Sequence, residues 1–461
     1  MEARAMKKSD ETAAGGALDF YRLLKSRSAE IGETYLKNTG RSRSLMERAR
    51  HVFPGGYTRD SLLRKPYPTF IVSGQGDTIL SADGRSIVDF WFNATSLVHG
   101  HRHPAIDRVI RDQLDRGTAF YGPGEVEIEH AERLIGRVAG AGKIRYTNSG
   151  SEAVMLALRI ARGFTGRSLV GKFEGAYHGI YDDVSWSVGP QLKDMGTADD
   201  PVGVPDSAGL PGAEGRSLVL PFNDIPAAVA LIERHANNLA AVLVEPFANR
   251  IGMILPEPEF LQAIARVCKA HGVLLVFDEV VSFRNGYRGV AGTLDITPDL
   301  TTLGKLIGGG FPVGAVAGRE ELLDISDNER PSRVVHAGTF NANPVTMAAG
   351  IAALDALTPD AIDRMAVLGD RLRQSLREIC AGLPLQVTGG GSMFKVTAVA
   401  HPIHSYRDAV LADSEWEALA SLQLLNDGVL VTPKLQGCLS SVTTEEAVNR
   451  LVEAFRRIVN L

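Results

Sequence analysis

Between residues 143 and 305 the chain alternates short, solid hydrophobic runs with longer stretches whose apolar positions recur at helical spacing. Runs 144–147, 169–173, 240–246 and 273–278 read as strands, and 151–162 and 260–270 as helices. Strands that are apolar at every position are buried on both faces, so the expected architecture is a large, mostly parallel α/β/α unit. Ligands bind such sheets at the carboxyl ends of the strands. The flanks read differently. Residues 18–51 mix charged and apolar positions at helical spacing and stop at Phe53-Pro54-Gly55-Gly56. Short apolar runs at 69–73 and 78–81 precede Asp83-Gly84, a tight-turn pair, and a further run at 86–91. A helix is expected over 105–116. Gly, Pro, Asp and Ser dominate 184–215, which reads as a long loop over or beside a site. Beyond about Pro331 the pattern predicts helices over 345–357 and 361–383 and strands over 394–399 and 429–432. Thr443-Thr444-Glu445-Glu446 forms a capping box that opens a last helix, 445–459. These elements form a smaller α+β unit. The expected division is 1–73 as an N-terminal segment contributing to the small unit, 74–330 as the large unit and 331–461 as the rest of the small one.

Composition narrows the class. A chain of 461 residues is too long for one simple core. A hydrophobic content of 44% and a charged content of 22% suit a soluble globular protein. The net charge, 49 − 54 = −5, gives no attraction to nucleic acid or to anionic lipid, so neither partner is expected. Cys268, Cys380 and Cys438 lie far apart, which fits a reducing compartment and excludes a disulfide framework. No apolar run reaches membrane-spanning length, and no apolar stretch follows the charged first residues. A cytoplasmic protein without a secretory signal is therefore expected, its first 15 residues disordered.

Candidate chemistry sits where strands end. Lys305 follows a short apolar run and precedes Gly308-Gly309-Gly310; a lysine held in so flexible a setting can form an imine with a carbonyl compound. Thr147-Asn148-Ser149-Gly150-Ser151-Glu152 lies between a strand and a helix start, where backbone amides attract a phosphate and Gly150 lets it approach. Phe277-Asp278-Glu279 ends a solidly hydrophobic strand, and an acid there needs a partner. A carboxylate against the ring nitrogen of pyridoxal phosphate would meet that need, and Asp278 is the natural candidate. Tyr177 is placed to stack on a planar cofactor, with Val280 packing its other face. Thr339, in the polar loop His336-Ala337-Gly338-Thr339-Phe340-Asn341, supplies a further phosphate donor. Two other patterns carry less. His99, His101 and His103 alternate, but Gly100 and Pro104 interrupt a strand and no fourth ligand is evident, so no metal is expected. Gly136 to Lys143 resembles a phosphate-binding loop with one residue too many and Ile144 where Ser or Thr is required.

With Asn148-Ser149-Gly150-Ser151-Glu152-Ala153, Tyr177-His178-Gly179, Phe277-Asp278-Glu279-Val280, the run Leu303 to Gly310 and His336-x-Gly-Thr-Phe340 in this order, the chain resembles the class III, fold type I pyridoxal-phosphate aminotransferases. It is similar to the branch containing glutamate-1-semialdehyde aminomutase and β-phenylalanine aminotransferase, from about His51 to the C-terminus. The resemblance implies that Lys305 bonds the cofactor and then moves a proton between substrate and cofactor carbons. It implies that Asp278 pairs with the pyridine nitrogen, Tyr177 stacks on the ring and His178 supports them. Ser149, Gly150 and Ser151 would hold the phosphate with Thr339 of the partner subunit, which implies a homodimer with shared sites. The chain departs from the aminomutase pattern at Asn249 and Arg250, where Gly and Asn are usual. Pro54-Gly55-Gly56-Tyr57-Thr58-Arg59 places an arginine as in β-phenylalanine aminotransferase, so Arg59 is the expected carboxylate anchor, with Arg64 and Arg250 as competitors. Ping-pong transamination between an amino donor and an oxo acid is favoured over an internal amine shift. A non-catalytic cofactor-binding module is the remaining alternative, and the presence of both Lys305 and Asp278 argues against it.

Overall fold

The computed structural model describes residues 18–210, 212, 216–331 and 333–460. The expectation for the first 15 residues lies outside them, as do residues 211 and 213–215 of the long loop.

The large sheet has seven strands, in the order Lys143–Thr147, Gly314–Gly318, Leu300–Gly304, Leu274–Asp278, Leu239–Val244, Leu169–Phe173, Ser217–Leu220. The last five run parallel; Gly314–Gly318 runs antiparallel to both its neighbours. One face packs on the helix Gly150–Thr165, where Ala153, Val154, Ala157 and Ala161 meet Val170, Leu243, Val276 and Leu300. The other packs on Ile225–His235 and Phe260–His271 through Leu231, Ile232, Phe260 and Ile264. Burial on both faces explains the solid hydrophobic runs. The strands read at 169–173 and 273–278 match to within a residue, and the run at 240–246 stops earlier, at Val244. The strands Ser217–Leu220 and Gly314–Gly318 were not expected from the sequence.

Two smaller sheets lie apart from it. Ile71–Gln75, Thr78–Ser81, Ser86–Asp89 and Val429–Leu430 form one; Gln386–Thr388, Met393–Thr397 and Gln436–Cys438 form the other. Both ends of the chain share a core there, with Leu24, Ile31 and Tyr35 packed among Ile87, Phe90, Trp416, Leu451 and Phe455. The last helix, Glu445–Val459, starts where Thr444 Oγ1 accepts from Ala447 N and buries Val448, Leu451, Val452, Phe455 and Ile458 along one stripe. The helical pattern over 18–51 breaks at Arg27 and again at Thr39, whose hydroxyl donates back to the Tyr35 carbonyl, so that a helical stretch over 18–26 is followed by Ser28–Asn38 and Gly40–Ala49. The helix Pro344–Ala356 packs through Met347 and Leu354 on Leu306 and Ile307, beside the large sheet. No single helix among the described residues is long and apolar enough to cross a membrane.

Candidate active site

Lys305 leaves the Leu300–Gly304 strand into a single 3-10 turn, Lys305–Gly308, with a φ of +52°. That conformation costs a non-glycine residue about 1–2 kcal/mol and persists only where the surroundings impose it. The surroundings here are close. A Cβ on Gly304 would lie 3.4 Å from Val280 Cγ1 and 3.6 Å from Gly150 Cα, and one on Gly150 would lie 3.0 Å from both Val280 methyls. The root of Lys305, the first turn of the Gly150–Thr165 helix and Val280 therefore pack directly together. Ser149 caps that helix by accepting from Glu152 N (3.2 Å), while Glu152 accepts from Asn148 N (2.6 Å). The next amides of the first turn have no partner within the helix. Ser151 Oγ accepts from Ile180 N at 3.3 Å, and Gly179, with φ +91°, lies so close to Ser151 that a Cβ would come within 2.7 Å of its Cα. Tyr177-His178-Gly179 is thus folded over the helix start.

Asp278 closes its strand at 6% exposure. Val280 N donates to its Oδ1 (3.1 Å) and His178 Nδ1 to its Oδ2 (2.8 Å). His178 is buried, and burial holds it below the usual imidazole range against the opposing pull of Asp278. The neutral ring then carries its proton on Nδ1, and its Nε2 has no partner among the described residues. Glu245, the first acid beyond Leu239–Val244, stands at the level of Asp278, because Val244 pairs with Phe277 one residue earlier. Its carboxylate accepts from Tyr177 N (3.4 Å). Burial, and then the Asp278 charge, push it up to about 8, while the Tyr177 amide, Lys305 and Arg250 oppose the rise. Lys305, half-buried by its neighbours, is held below the usual lysine range by desolvation, with Asp278 and Glu245 pulling the other way. Glu245 was not among the expected site residues, although it ends a solid strand just as Asp278 does.

The substrate side is more open. Tyr177 is 40% exposed, and the Arg250 guanidinium lies 5.1 Å from its ring centroid. The Asn249 carbonyl accepts from Gln436 Nε2 (2.9 Å), and its side-chain oxygen is buried without a partner among the described residues. Arg59 is exposed and donates to Asn93 Oδ1 (2.9 Å). Asn93 belongs to a left-handed turn, Phe92 to Thr95, with φ of +45°, +49°, +56° and +72°. Asp89 holds its entry by accepting from Trp91 N and Phe92 N, and the buried Arg284 holds its exit by donating to the Thr95 carbonyl. Nothing in Phe92-Asn93-Ala94-Thr95 signals this turn beyond the single Asn. Arg64 is buried and donates to Ser421 Oγ and the Val431 carbonyl, a brace away from this surface. Thr339 is exposed, on a loop tied to Asn148 through Asn341 (2.9 Å); among the described residues no hydrogen bond links it to Lys305 or its neighbours. His99 bonds Ser441 and the Ala353 carbonyl, and His101 bonds Asp89; the described residues contain no group of three metal-ligating side chains.

The class III aminotransferase family model matches residues 63–458. The chain belongs to the class III aminotransferases. It is 37% identical over 426 residues to the glutamate-1-semialdehyde 2,1-aminomutase of Methanothrix thermoacetophila, covering 91% of this chain and 96% of that one. Among solved structures, an omega-transaminase from Sphaerobacter thermophilus is 43% identical, with a TM-score of 0.87 over 91% of this chain and 97% of its own. A β-phenylalanine aminotransferase from Variovorax paradoxus is 33% identical, with a TM-score of 0.86 over 95% and 97%. The fold is that of the fold type I transaminases, the chain is an enzyme of the pyridoxal-phosphate-dependent transferase type, and pyridoxal phosphate is its cofactor. The residues present suit that group. A buried carboxylate, a capped helix N-terminus and the root of the Lys305 side chain meet around Val280, and Gly150 and Gly304 let them approach that closely.

Proposed function

We propose that the chain is an aminotransferase that moves an amino group between an amino acid or amine, β-amino acids included, and an oxo acid by a ping-pong route. Bound pyridoxal phosphate supplies an electron-accepting ring that stabilises the charge left when a proton departs from the substrate carbon. The chain's own residues do the rest. Asp278, oriented by His178, holds the ring nitrogen in its protonated form. Ser149, Gly150 and Ser151 at the helix N-terminus take the phosphate, with Thr339 of the partner subunit in a homodimer. Tyr177 and Val280 flank the ring. Lys305 carries the cofactor and then acts as the base; its desolvated amine favours the neutral form that a base requires. Arg59 receives the substrate carboxylate, with Asn249 and Arg250 lining the same pocket.

The observation that carries this reading is the Arg250 guanidinium beside Tyr177; Arg59, exposed and held by Asn93, is the second arginine the reading assigns to the substrate. Two arginines suit carboxylate-bearing donors and acceptors that take turns at one site. The likeness to the omega-transaminase points the same way. A second reading, an internal amine shift on an amino aldehyde, rests on the 37% identity to glutamate-1-semialdehyde 2,1-aminomutase over 91% of the chain. A half-reaction screen separates them. Single amines and amino acids are mixed with the cofactor-loaded protein and the cofactor absorbance is followed. A donor that converts the cofactor, with recovery on adding an oxo acid, supports aminotransfer. Complete turnover of glutamate 1-semialdehyde with no acceptor, and no response to any donor, would establish the second reading.

A further inference from the structure

The turn that carries Lys305 is braced from outside. In Lys305–Gly308 and the loop after it, Gly309 N donates to the Leu306 carbonyl (3.1 Å) and Phe311 N to the Gly308 carbonyl (3.0 Å). The carbonyl between them, that of Ile307, is met by a side chain: His130 Nε2 donates to it at 2.7 Å. His130 belongs to the helix Glu125–Ile135, and both it and Ile307 are fully buried. Lys305 is strained in its left-handed conformation, and Gly308, Gly309 and Gly310 lend the segment little stiffness of their own. A brace from another element supplies what the turn lacks.

The second ring nitrogen fixes the direction of both bonds. A carbonyl only accepts, so Nε2 carries the proton. Burial brings His130 down to about 4, so the ring is neutral and Nδ1 is an acceptor. The Tyr146 hydroxyl, 2.7 Å away, therefore donates to it. Tyr146 is the last residue but one of Lys143–Thr147, the strand that leads into Ser149 and Gly150. The helix Pro344–Ala356 closes the arrangement. Its Gly350 packs so tightly that a Cβ there would lie 2.5 Å from His130 Nε2 and would overlap the Ile307 carbonyl oxygen. One imidazole thus ties the strand of the phosphate anchor to the turn of the lysine, with helix backbone pressed against the bond.

We propose that His130 is a positioning residue for Lys305: through the Ile307 carbonyl it holds the turn that presents the lysine amine to the cofactor, and through Tyr146 it sets that turn against the helix start that takes the phosphate. Without the imidazole the Ile307 carbonyl is buried and unpaired, and the peptide rotates to relieve it, carrying Lys305 with it. An ordinary core hydrogen bond would stabilise the fold and leave the lysine unaffected. The proposal deepens the aminotransfer reading and rests on it for the part played by Lys305.

The test compares His130→Leu with His130→Gln, whose amide still donates to the Ile307 carbonyl, and with Met365→Ala, a truncation in the same core cluster. Pyridoxal phosphate is added to each cofactor-free protein, the link to Lys305 is trapped with borohydride over time, and Tm is measured alongside. His130→Leu should slow the link by about tenfold or more, the effect of a buried carbonyl left without its donor. His130→Gln should restore most of the rate, and Met365→Ala should lower Tm and leave the rate alone. In the cofactor-free protein, acetic anhydride labelling against pH reads Lys305 directly. Its midpoint should rise toward that of an exposed lysine in His130→Leu and stay in place in the other two variants. Should His130→Leu fail to fold, Tyr146→Phe removes only the donor that fixes the tautomer, and it should shift both readouts the same way by a smaller amount. Unchanged readouts in the folded variant overturn the proposal. So do equal changes in Met365→Ala, or a His130→Gln protein as impaired as His130→Leu. If wild-type Lys305 never links to pyridoxal phosphate, the proposed function fails, and the labelling midpoints still decide the part of His130.

Discussion

Asp278→Asn removes one charge from the site and almost nothing else. Asn has the same shape, and its oxygen still accepts from Val280 N, now at 3.1 Å. Its amide then meets His178 Nδ1, 2.8 Å from the present Oδ2. His178 accommodates this by moving its proton to Nε2, a nitrogen with no partner to lose. The fold is therefore retained, and the buried negative charge goes. Truncating one side of a buried charged pair costs about 2–5 kcal/mol. At about 1.4 kcal/mol per decade, the amine half-reaction should slow by roughly 30-fold to a few thousand-fold. Cofactor affinity should change far less, because the phosphate end is held by the helix start and not by Asp278. Stopped-flow absorbance at saturating amine measures the rate, and a fluorescence titration of the apoprotein measures the affinity. Glu245 should also titrate lower in this variant, since Asp278 is the nearby charge that raises it. A near wild-type rate with cofactor bound would refute the reasoning. A rate loss matched by an equal loss of affinity would mean that Asp278 retains the cofactor instead of tuning it.

Three further outcomes are expected. Lys305→Ala should fold and bind pyridoxal phosphate without a covalent link, with no turnover; borohydride reduction of the wild type, followed by peptide mapping, should place the label on Lys305 and on no other lysine. Arg59→Ala should lower kcat/KM for an amino acid by roughly 30-fold to a few thousand-fold and much less for an amine without a carboxylate; equal losses for both would move the assignment to Arg250. Glu245→Gln should raise the Tm of the cofactor-free protein, by an amount that grows from about pH 5 to pH 8: the folded-state value near 8 lies above the ordinary carboxyl range, so the stability tied to protonated Glu245 is lost as pH rises, and Gln cannot lose it. A constant difference in Tm across that range would show that burial does not perturb Glu245.

What could be read from the sequence follows from how each feature is built. The parallel strands were legible because burial on both faces demands unbroken hydrophobic runs, as in Leu239–Val244 and Leu274–Asp278. Lys305 and Asp278 were legible because each is a charge at the end of such a run. Glu245 obeys the same rule, but its place level with Asp278 follows only from the register of the two strands. The left-handed turn Phe92 to Thr95 was invisible because Arg284, distant in sequence, fixes its exit, and the nearby Asp89 that fixes its entry looks like any other acid. Lys172 was hidden for the opposite reason: an isolated lysine in a strand looks like an exposed edge residue until register places it in an interior strand, between Leu243 and Val219.

The strand Gly314–Gly318 escaped hydrophobic patterning because it is made of Gly, Ala and Val, and that smallness is what the site uses. Gly314 pairs with Thr147 on one side and with Gly304 on the other. It therefore joins the strand that leads into the helix start to the strand that delivers Lys305. A Cβ on Gly314 would lie 2.5 Å from the Ser149 carbonyl carbon, a clash with backbone that no rotamer change relieves. The reversed strand thus acts as a thin spacer: it holds the two functional ends one strand apart with no side chain between them. A bulkier residue at 314 would push Ser149 and Gly150 away from Val280. That would widen the gap between the proposed phosphate anchor and the root of Lys305, two points that a single cofactor must span. The all-parallel alternative would need a crossover of a dozen or more residues between strands, and the nine residues 305–313 are too few for one. The short return is met by an antiparallel strand, and the connection to it opens with the Lys305–Gly308 turn.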